Sequence, residues 1–171
     1  MLQWKNNVAF DLFRSSYIQK EVERLDQKRL YEWYGQYKDG IFRYALSITK
    51  DPQLAEDVLQ DTFLKVLAGE RPRDPDRARP WLYRVARNLC LDHLRRAKRE
   101  QPHTKLPAQE QSPYAYIELI SALSPKDQQI VTLKIVGGLT HGEIGTVLGM
   151  SAKAVQKRYE RAIAALRKQE E

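Results

Sequence analysis

The sequence predicts an all-α fold of two small helical domains joined by a flexible linker, the C-terminal one a helix-turn-helix. Three observations predict it. Apolar residues recur at three and four positions rather than two. Proline, glycine and capping residues fall at the ends of those periodic stretches. A polar segment holding three prolines, "EQPHTKLPAQEQSPYAY", divides the chain. The expected units are residues 1–99, a linker over 100–116, and 117–171, sizes that allow each only a modest core.

In "RLYEWYGQYKDGIFRYALSI", the set Leu30, Tyr34, Tyr37, Ile41, Tyr44, Ala45 and Ile48 lies on one helical face, although Gly35 and Gly40 weaken the helix. Asp51-Pro52 ends it and begins the next, the aspartate as cap and the proline at the first helical position. That second helix is expected to bury Leu54, Ala55, Val58, Leu59, Phe63, Val66 and Leu67 and to stop at Gly69. A proline-rich charged loop spans 69–79, and Pro80 is expected to open "WLYRVARNLCLDHLRR". Beyond the linker, Ser124-Pro125 starts a helix that runs to Gly137-Gly138. Thr140 with Glu143 starts a short helix ended by Gly149, and Ser151 caps a last helix reaching about Lys168.

The formal net charge of +7 points to an anionic partner, nucleic acid or a membrane surface. No apolar run approaches the ~20 residues of a membrane span, and "MLQWKNNVAFDLF" lacks the layout of a secretion signal, so a cytoplasmic protein is expected. The single cysteine, Cys90, sits between Leu89 and Leu91 and reads as a buried, inert thiol. With His93, His103 and His141 it makes no set of metal-ligand spacing. No nucleotide-binding loop or catalytic cluster is present, so neither a cofactor, a metal nor an enzymatic activity is expected.

"LTHGEIGTVLGMSAKAVQKRYERAIAAL" carries the most information. Two helices flanking Gly149-Met150-Ser151 make a helix-turn-helix, whose second helix enters the major groove. Val155, Tyr159, Ala162 and Leu166 form its inward stripe, against Ile144, Val147 and Leu148. Lys153, Gln156, Lys157 and Glu160 project from the other side, as side chains that read base edges or hold phosphates, with Arg158 and Arg161 at the flanks. Gly145 stands where many such units carry alanine, a mild weakness in the helix.

On the Trp81–Arg96 helix, Leu82, Val85, Ala86 and Leu89 face inward. Arg84, Asn88, Asp92, Arg95 and Arg99 recur on the outward side, with Arg87, Arg96 and Lys98 nearby. Asn88 and Asp92 amid arginines suit hydrogen bonding to a base edge while the cations hold the backbone. A solvated helix in which Asp92 pairs with Arg95 or Arg96 fits the same pattern.

The succession "YALSITKDPQLAEDVLQDTFLKVL", "WLYRVARNLCLDHLRR" and "LSPKDQQIVTLKIVGGLTHGEIGTVLGMSAKAVQKRYERAIAAL" resembles the extracytoplasmic-function (ECF) sigma factors, two-domain specificity subunits of bacterial RNA polymerase. The resemblance covers about residues 30–168; residues 1–25 lie outside it. It implies that Asp57, Gln60 and Asp61 dock on the clamp coiled coil of the largest subunit of core RNA polymerase. It implies that Arg84, Arg87, Asn88, Asp92, Arg95 and Arg96 engage the minus-10 promoter element, with Asn88 on a base flipped out of the stack and the 69–79 loop capturing bases. That loop carries no aromatic residue for stacking, only Arg71, Arg73, Arg77 and Arg79. Ser151, Lys153, Gln156, Lys157, Arg158 and Arg161 would read the minus-35 element. A cognate anti-sigma factor is a further implied partner. Without the resemblance, the residues also fit a conventional helix-turn-helix regulator acting without polymerase, or an adaptor whose basic faces meet acidic proteins or membranes.

Overall fold

The computed structural model describes the backbone of residues 8–100 and 113–168, and side chains over 27–97 and 115–168 together with Lys20 and Arg24. Among these residues the elements are α1 (Val8–Thr49), α2 (Pro52–Leu67), a 3-10 turn (Pro75–Arg77), α3 (Ala78–Glu100), α4 (Pro113–Ile120), α5 (Pro125–Ile135), α6 (His141–Leu148) and α7 (Ala152–Arg167). Residues 101–112 of the expected linker lie outside the described residues, and its last four positions already belong to α4. The side chains of Lys98 and Arg99, and all of His103, are outside them too.

Helix α1 runs unbroken for 42 residues, about 63 Å at ~1.5 Å per residue. Residues 8–25, which the resemblance leaves unmatched, belong to this same helix. Gly40 lies within the helix, and the Tyr83 hydroxyl of α3 sits where a Cβ on it would stand. Lys50 turns the chain at a φ of 55°. The Asp51 carboxylate then accepts from the N–H groups of Gln53 and Leu54 at 2.8 and 3.2 Å, the cap the sequence predicts for α2.

α2 buries Ala55, Val58, Leu59, Phe63 and Val66 against α1 and α3. Leu67, expected inside, is 61% exposed, and Leu64 is 57% exposed. The buried stripe is centred on Val66, and one further residue turns Leu67 about 100° away from it. The helix stops as predicted at Gly69, which takes a φ of 87° while the N–H groups of Gly69 and Glu70 return to Val66 and Lys65. α3 opens at Ala78 rather than Pro80, because Asp74 caps a helical turn that leads into it.

α3 turns Leu82, Tyr83, Ala86 and Cys90 into the core, with Val85 and Leu89 half-buried. Tyr83 packs edge-on to Tyr44, ring centroids 5.5 Å apart. The two helical units do not have separate cores. Ile130, Leu133, Leu139, Ile144, Val147 and Val155 of the C-terminal unit belong to the same cluster as Tyr44, Leu82 and Cys90, and only a satellite around Ile120, Leu123, Val131 and Ala162 stands apart.

Candidate nucleic-acid interface

The helix ends of the helix-turn-helix are set by local contacts. The Thr140 hydroxyl accepts from the Glu143 N–H at 3.2 Å while the Glu143 carboxylate accepts from the Thr140 N–H at 2.7 Å, a reciprocal box that starts α6. Burial pushes the Glu143 carboxyl up, but the Thr140 bonds and the Arg79 guanidinium more than offset this and hold it below the usual carboxylate range. Gly149 ends α6 at a φ of 68°, and the Ser151 hydroxyl accepts from the Ala154 N–H to start α7. Gly145 is a requirement here rather than a weakness, because a Cβ on it would overlap the Met150 carbonyl oxygen of the turn.

α7 buries Val155 and Ala162, half-buries Tyr159 and Leu166, and leaves Ser151, Lys153, Gln156, Lys157, Glu160 and Arg161 exposed. The Gln156 amide donates to Glu160 at 2.9 Å, a pairing one turn long that water or a base edge can replace. Arg158 is different. Its Nε donates to Asp127 at 2.8 Å and its Nη2 to the Ser124 hydroxyl at 3.4 Å, tying the recognition helix to the start of α5. Both side chains are mostly buried, 30% and 23% exposed. Arg158→Ala therefore should cost about 1.5–3 kcal/mol, the range for hydrogen bonds to charged groups. Urea unfolding checks this, with Asp127→Ala and the double variant giving the coupling; a flank residue serving DNA alone would leave stability unchanged.

On α3, Arg84, Asn88, Asp92, Arg95 and Arg96 are exposed along one side. Asp92 accepts from Arg95 Nη1 at 3.0 Å, the pairing anticipated for a solvated helix, with the two side chains 54% and 71% exposed. Such an exposed pair contributes little and yields readily to a ligand. Arg87 is half-buried, and its Nε donates to Gln129 of α5 at 3.2 Å. The sequence missed one residue. Trp81, half-buried at the start of α3, lines a groove of about 610 Å³ with Pro72, Arg77 and Arg84, whose opposite wall is Gly142, Glu143 and Thr146 of α6. An aromatic ring thus stands beside the loop that carries none. Its position at the first turn, ahead of Leu82, was the available signal.

On α2, Asp57 and Gln60 are exposed and Asp61 is half-buried, 3.9 Å from His93 Nε2 of α3. One turn on lie the exposed Leu64 and Leu67, so the polar patch continues into an apolar one. The described residues hold no cluster of potential metal ligands, and no described helix is long and apolar enough to cross a membrane.

Sigma-70 region 2 matches residues 33–100 and sigma-70 region 4 matches residues 114–166. The chain is 42% identical over 69 residues to the ECF RNA polymerase sigma factor SigM of Bacillus subtilis (strain 168), a match covering 40% of this chain and 42% of that protein. It is 27% identical over 161 residues to SigE of Mycolicibacterium smegmatis, covering 83% of this chain and 63% of SigE. With SigL of Mycobacterium tuberculosis it shares 29% identity over 152 residues, covering 78% of this chain and 84% of SigL. The chain thus spans less than two thirds of the first two relatives. Among solved structures it is similar to CnrH in complex with the cytosolic domain of CnrY, with a TM-score of 0.63 and 27% identity over 84% of this chain and 88% of that one. RpoE of Bartonella quintana, solved with the anti-sigma factor NepR, shares the fold at a TM-score of 0.65 and 20% identity, over 81% and 94% of the two chains. The α2–α3 pair and the α6–α7 helix-turn-helix fall within the two matched regions, in sigma order, and the chain belongs to the ECF sigma factors.

Proposed function

We propose that this protein is a non-enzymatic initiation factor that binds core RNA polymerase and directs it to promoters with two separated DNA elements. The observation that carries this reading is the pair of cation-and-amide faces on one chain: Arg84, Asn88 and Arg96 on α3, and Lys153, Gln156 and Lys157 on α7, each opposite a buried stripe. The α7 face suits the major groove of the upstream duplex. The α3 face, with Asp92, Arg95 and the 69–79 loop, suits unpaired bases of the downstream element, and Trp81 supplies the stacking surface the loop lacks. Strand opening is then driven by binding, as melted bases exchange their duplex stacking for stacking and hydrogen bonds on the protein.

Asp57, Gln60 and Asp61 are the proposed polymerase contacts, extended by Leu64 and Leu67, which are exposed beside them and give the patch an apolar part. RpoE is solved with the anti-sigma factor NepR and CnrH with the cytosolic domain of CnrY, and a cognate anti-sigma factor is proposed for this chain by that likeness.

Transcription in vitro tests the reading, with core polymerase and this protein on templates randomised upstream. Two spaced elements should be enriched. Asn88→Ala should weaken use of the downstream one by about ten-fold, the loss of one good base contact. Asp57→Ala should raise the protein concentration needed for initiation. Transcription no better than that of core enzyme, with binding to a palindromic duplex retained, makes the protein a conventional helix-turn-helix regulator instead.

A further inference from the structure

Arg77, Trp81 and Arg84 follow one another at four and three, a cation on each side of an indole along the ridge where the 3-10 turn runs into α3. They line the groove of about 610 Å³ between that ridge and α6. Sites that enclose a small organic ligand fall in the range of roughly 300–1,000 Å³. Pro72 and Pro80 join the half-buried Trp81, so the lining around the indole is apolar.

The polar groups of the groove divide into engaged and open ones. On the α6 wall Glu143 is engaged, one carboxylate oxygen on the Thr140 N–H at 2.7 Å and the other 3.5 Å from Arg79. The Thr146 hydroxyl donates to the Gly142 carbonyl at 3.2 Å. The Arg84 guanidinium and the Asp76 carboxylate, both on exposed residues, enter no hydrogen bond or ion pair among the described residues. Arg77 is held only by Asp74, 3.6 Å away, with the side chains 80% and 53% exposed, a pairing that yields to a ligand. Asp76 and Arg84 bracket Trp81, about 12 Å apart along the axis at ~1.5 Å per residue.

We propose that this groove is a binding site for a free guanine nucleotide, with its base stacked on Trp81, its Watson–Crick edge on Asp76 and its phosphates on Arg84. An indole gives a base a stacking platform whatever its sequence context. A guanidinium suits a phosphate, which it can hold with two parallel N–H groups. The carboxylate selects the base. Among the common bases only guanine presents two neighbouring donors on that edge, N1–H and the N2 amino group, matching the two acceptor oxygens of Asp76. Adenine, cytosine and uracil each set an acceptor beside the donor, and that lone pair would face the carboxylate. The separation of Asp76 from Arg84 suits a base edge at one end and a phosphate at the other. The α6 wall favours a free nucleotide over a strand, because a mononucleotide has no chain to route past it. The site stands whether or not α3 meets promoter DNA.

Isothermal titration calorimetry on the full chain tests it, with guanosine 5′-diphosphate, adenosine 5′-diphosphate and pyrophosphate as probes. Guanosine diphosphate should bind about ten-fold more tightly than adenosine diphosphate, the effect of one good base-edge contact. Asp76→Asn should erase that preference, and Arg84→Ala should weaken both nucleotides by about ten-fold. Gly142→Leu fills the groove from its far wall. A Cβ there meets nothing closer than the Thr140 hydroxyl at 4.0 Å, so the fold has room for the change. This variant should abolish binding of both nucleotides while its urea transition is retained. Binding untouched by Gly142→Leu, or pyrophosphate that displaces the nucleotide at equal concentration, would mean surface attraction between a basic protein and an anion, and the proposal fails. Absence of guanosine diphosphate binding at millimolar concentration overturns it too. An oligothymidine with one central guanine supplies the last arm. If its advantage over plain oligothymidine is lost in Asp76→Asn while the free nucleotide does not bind, the groove serves a DNA strand instead.

Discussion

Replacing Gly145 with valine should abolish binding of the helix-turn-helix to duplex DNA while α1–α3 keep their fold. The Gly145 carbonyl accepts from the Met150 N–H at 2.9 Å and also from the Gly149 N–H, so the turn folds back directly over this residue. A single Cβ already overlaps the Met150 carbonyl oxygen, and the obstacle is backbone, which has no rotamer to escape into. Overpacking of this kind costs about 1–3 kcal/mol, and rigid neighbours put valine at the upper end. Alanine gains ~1 kcal/mol of helix propensity over glycine, yet the overlap outweighs that gain, so Gly145→Ala should also destabilise, by less. Duplex binding, with urea unfolding alongside, gives both numbers. A stabilised Gly145→Ala would show that the turn can relax around the new methyl.

Tyr83→Ala should cost about 3–5 kcal/mol, the range for emptying a large buried aromatic site. Tyr83 is 2% exposed and is held from three directions: its ring lies edge-on to Tyr44, its hydroxyl fills the space over Gly40, and its outer edge meets Gly137. Burial pushes its hydroxyl well above the usual tyrosine range, so the phenol stays neutral across physiological pH. The loss is a large part of the ~5–15 kcal/mol that holds a domain folded. Because the ring touches both units, the transition should broaden or split in urea as well as move earlier. Tyr83→Phe, which keeps the ring and gives up only the hydroxyl over Gly40, should lose about 1 kcal/mol or less. Equal losses for the two variants would place the ring's contribution elsewhere.

Most of the helix ends were legible because each depends on a few adjacent residues. Asp51-Pro52, Ser124-Pro125, Thr140 with Glu143, Gly149 and Ser151 all act as read. The inward stripe of α7 followed from spacing, whereas that of α3 is turned toward Tyr83 and Cys90, leaving Val85 and Leu89 only half-buried. Residues whose partners lie far along the chain were not legible. Gln128 and Gln129 look like surface amides until Lys50, Tyr44 and Arg87 arrive from the other unit. Arg158 reads as a flanking phosphate contact, and its fixed partner Asp127 is 31 residues away. Gly145 looked like a tolerated defect because the obstructing Met150 carbonyl is set by how the turn folds, not by its sequence. Leu67 kept the i+4 spacing from Phe63, but that row drifts off the buried stripe, which Val66 continues.

The one cysteine of the chain carries a consequence for redox chemistry. Cys90 is fully buried on α3, and burial raises its thiol to about 12. At neutral pH the thiol stays protonated, and the thiolate that would attack peroxides or disulfides is scarce. Thiol chemistry therefore finds no ready handle on Cys90. A thiol that senses oxidants on behalf of this chain would have to belong to another molecule.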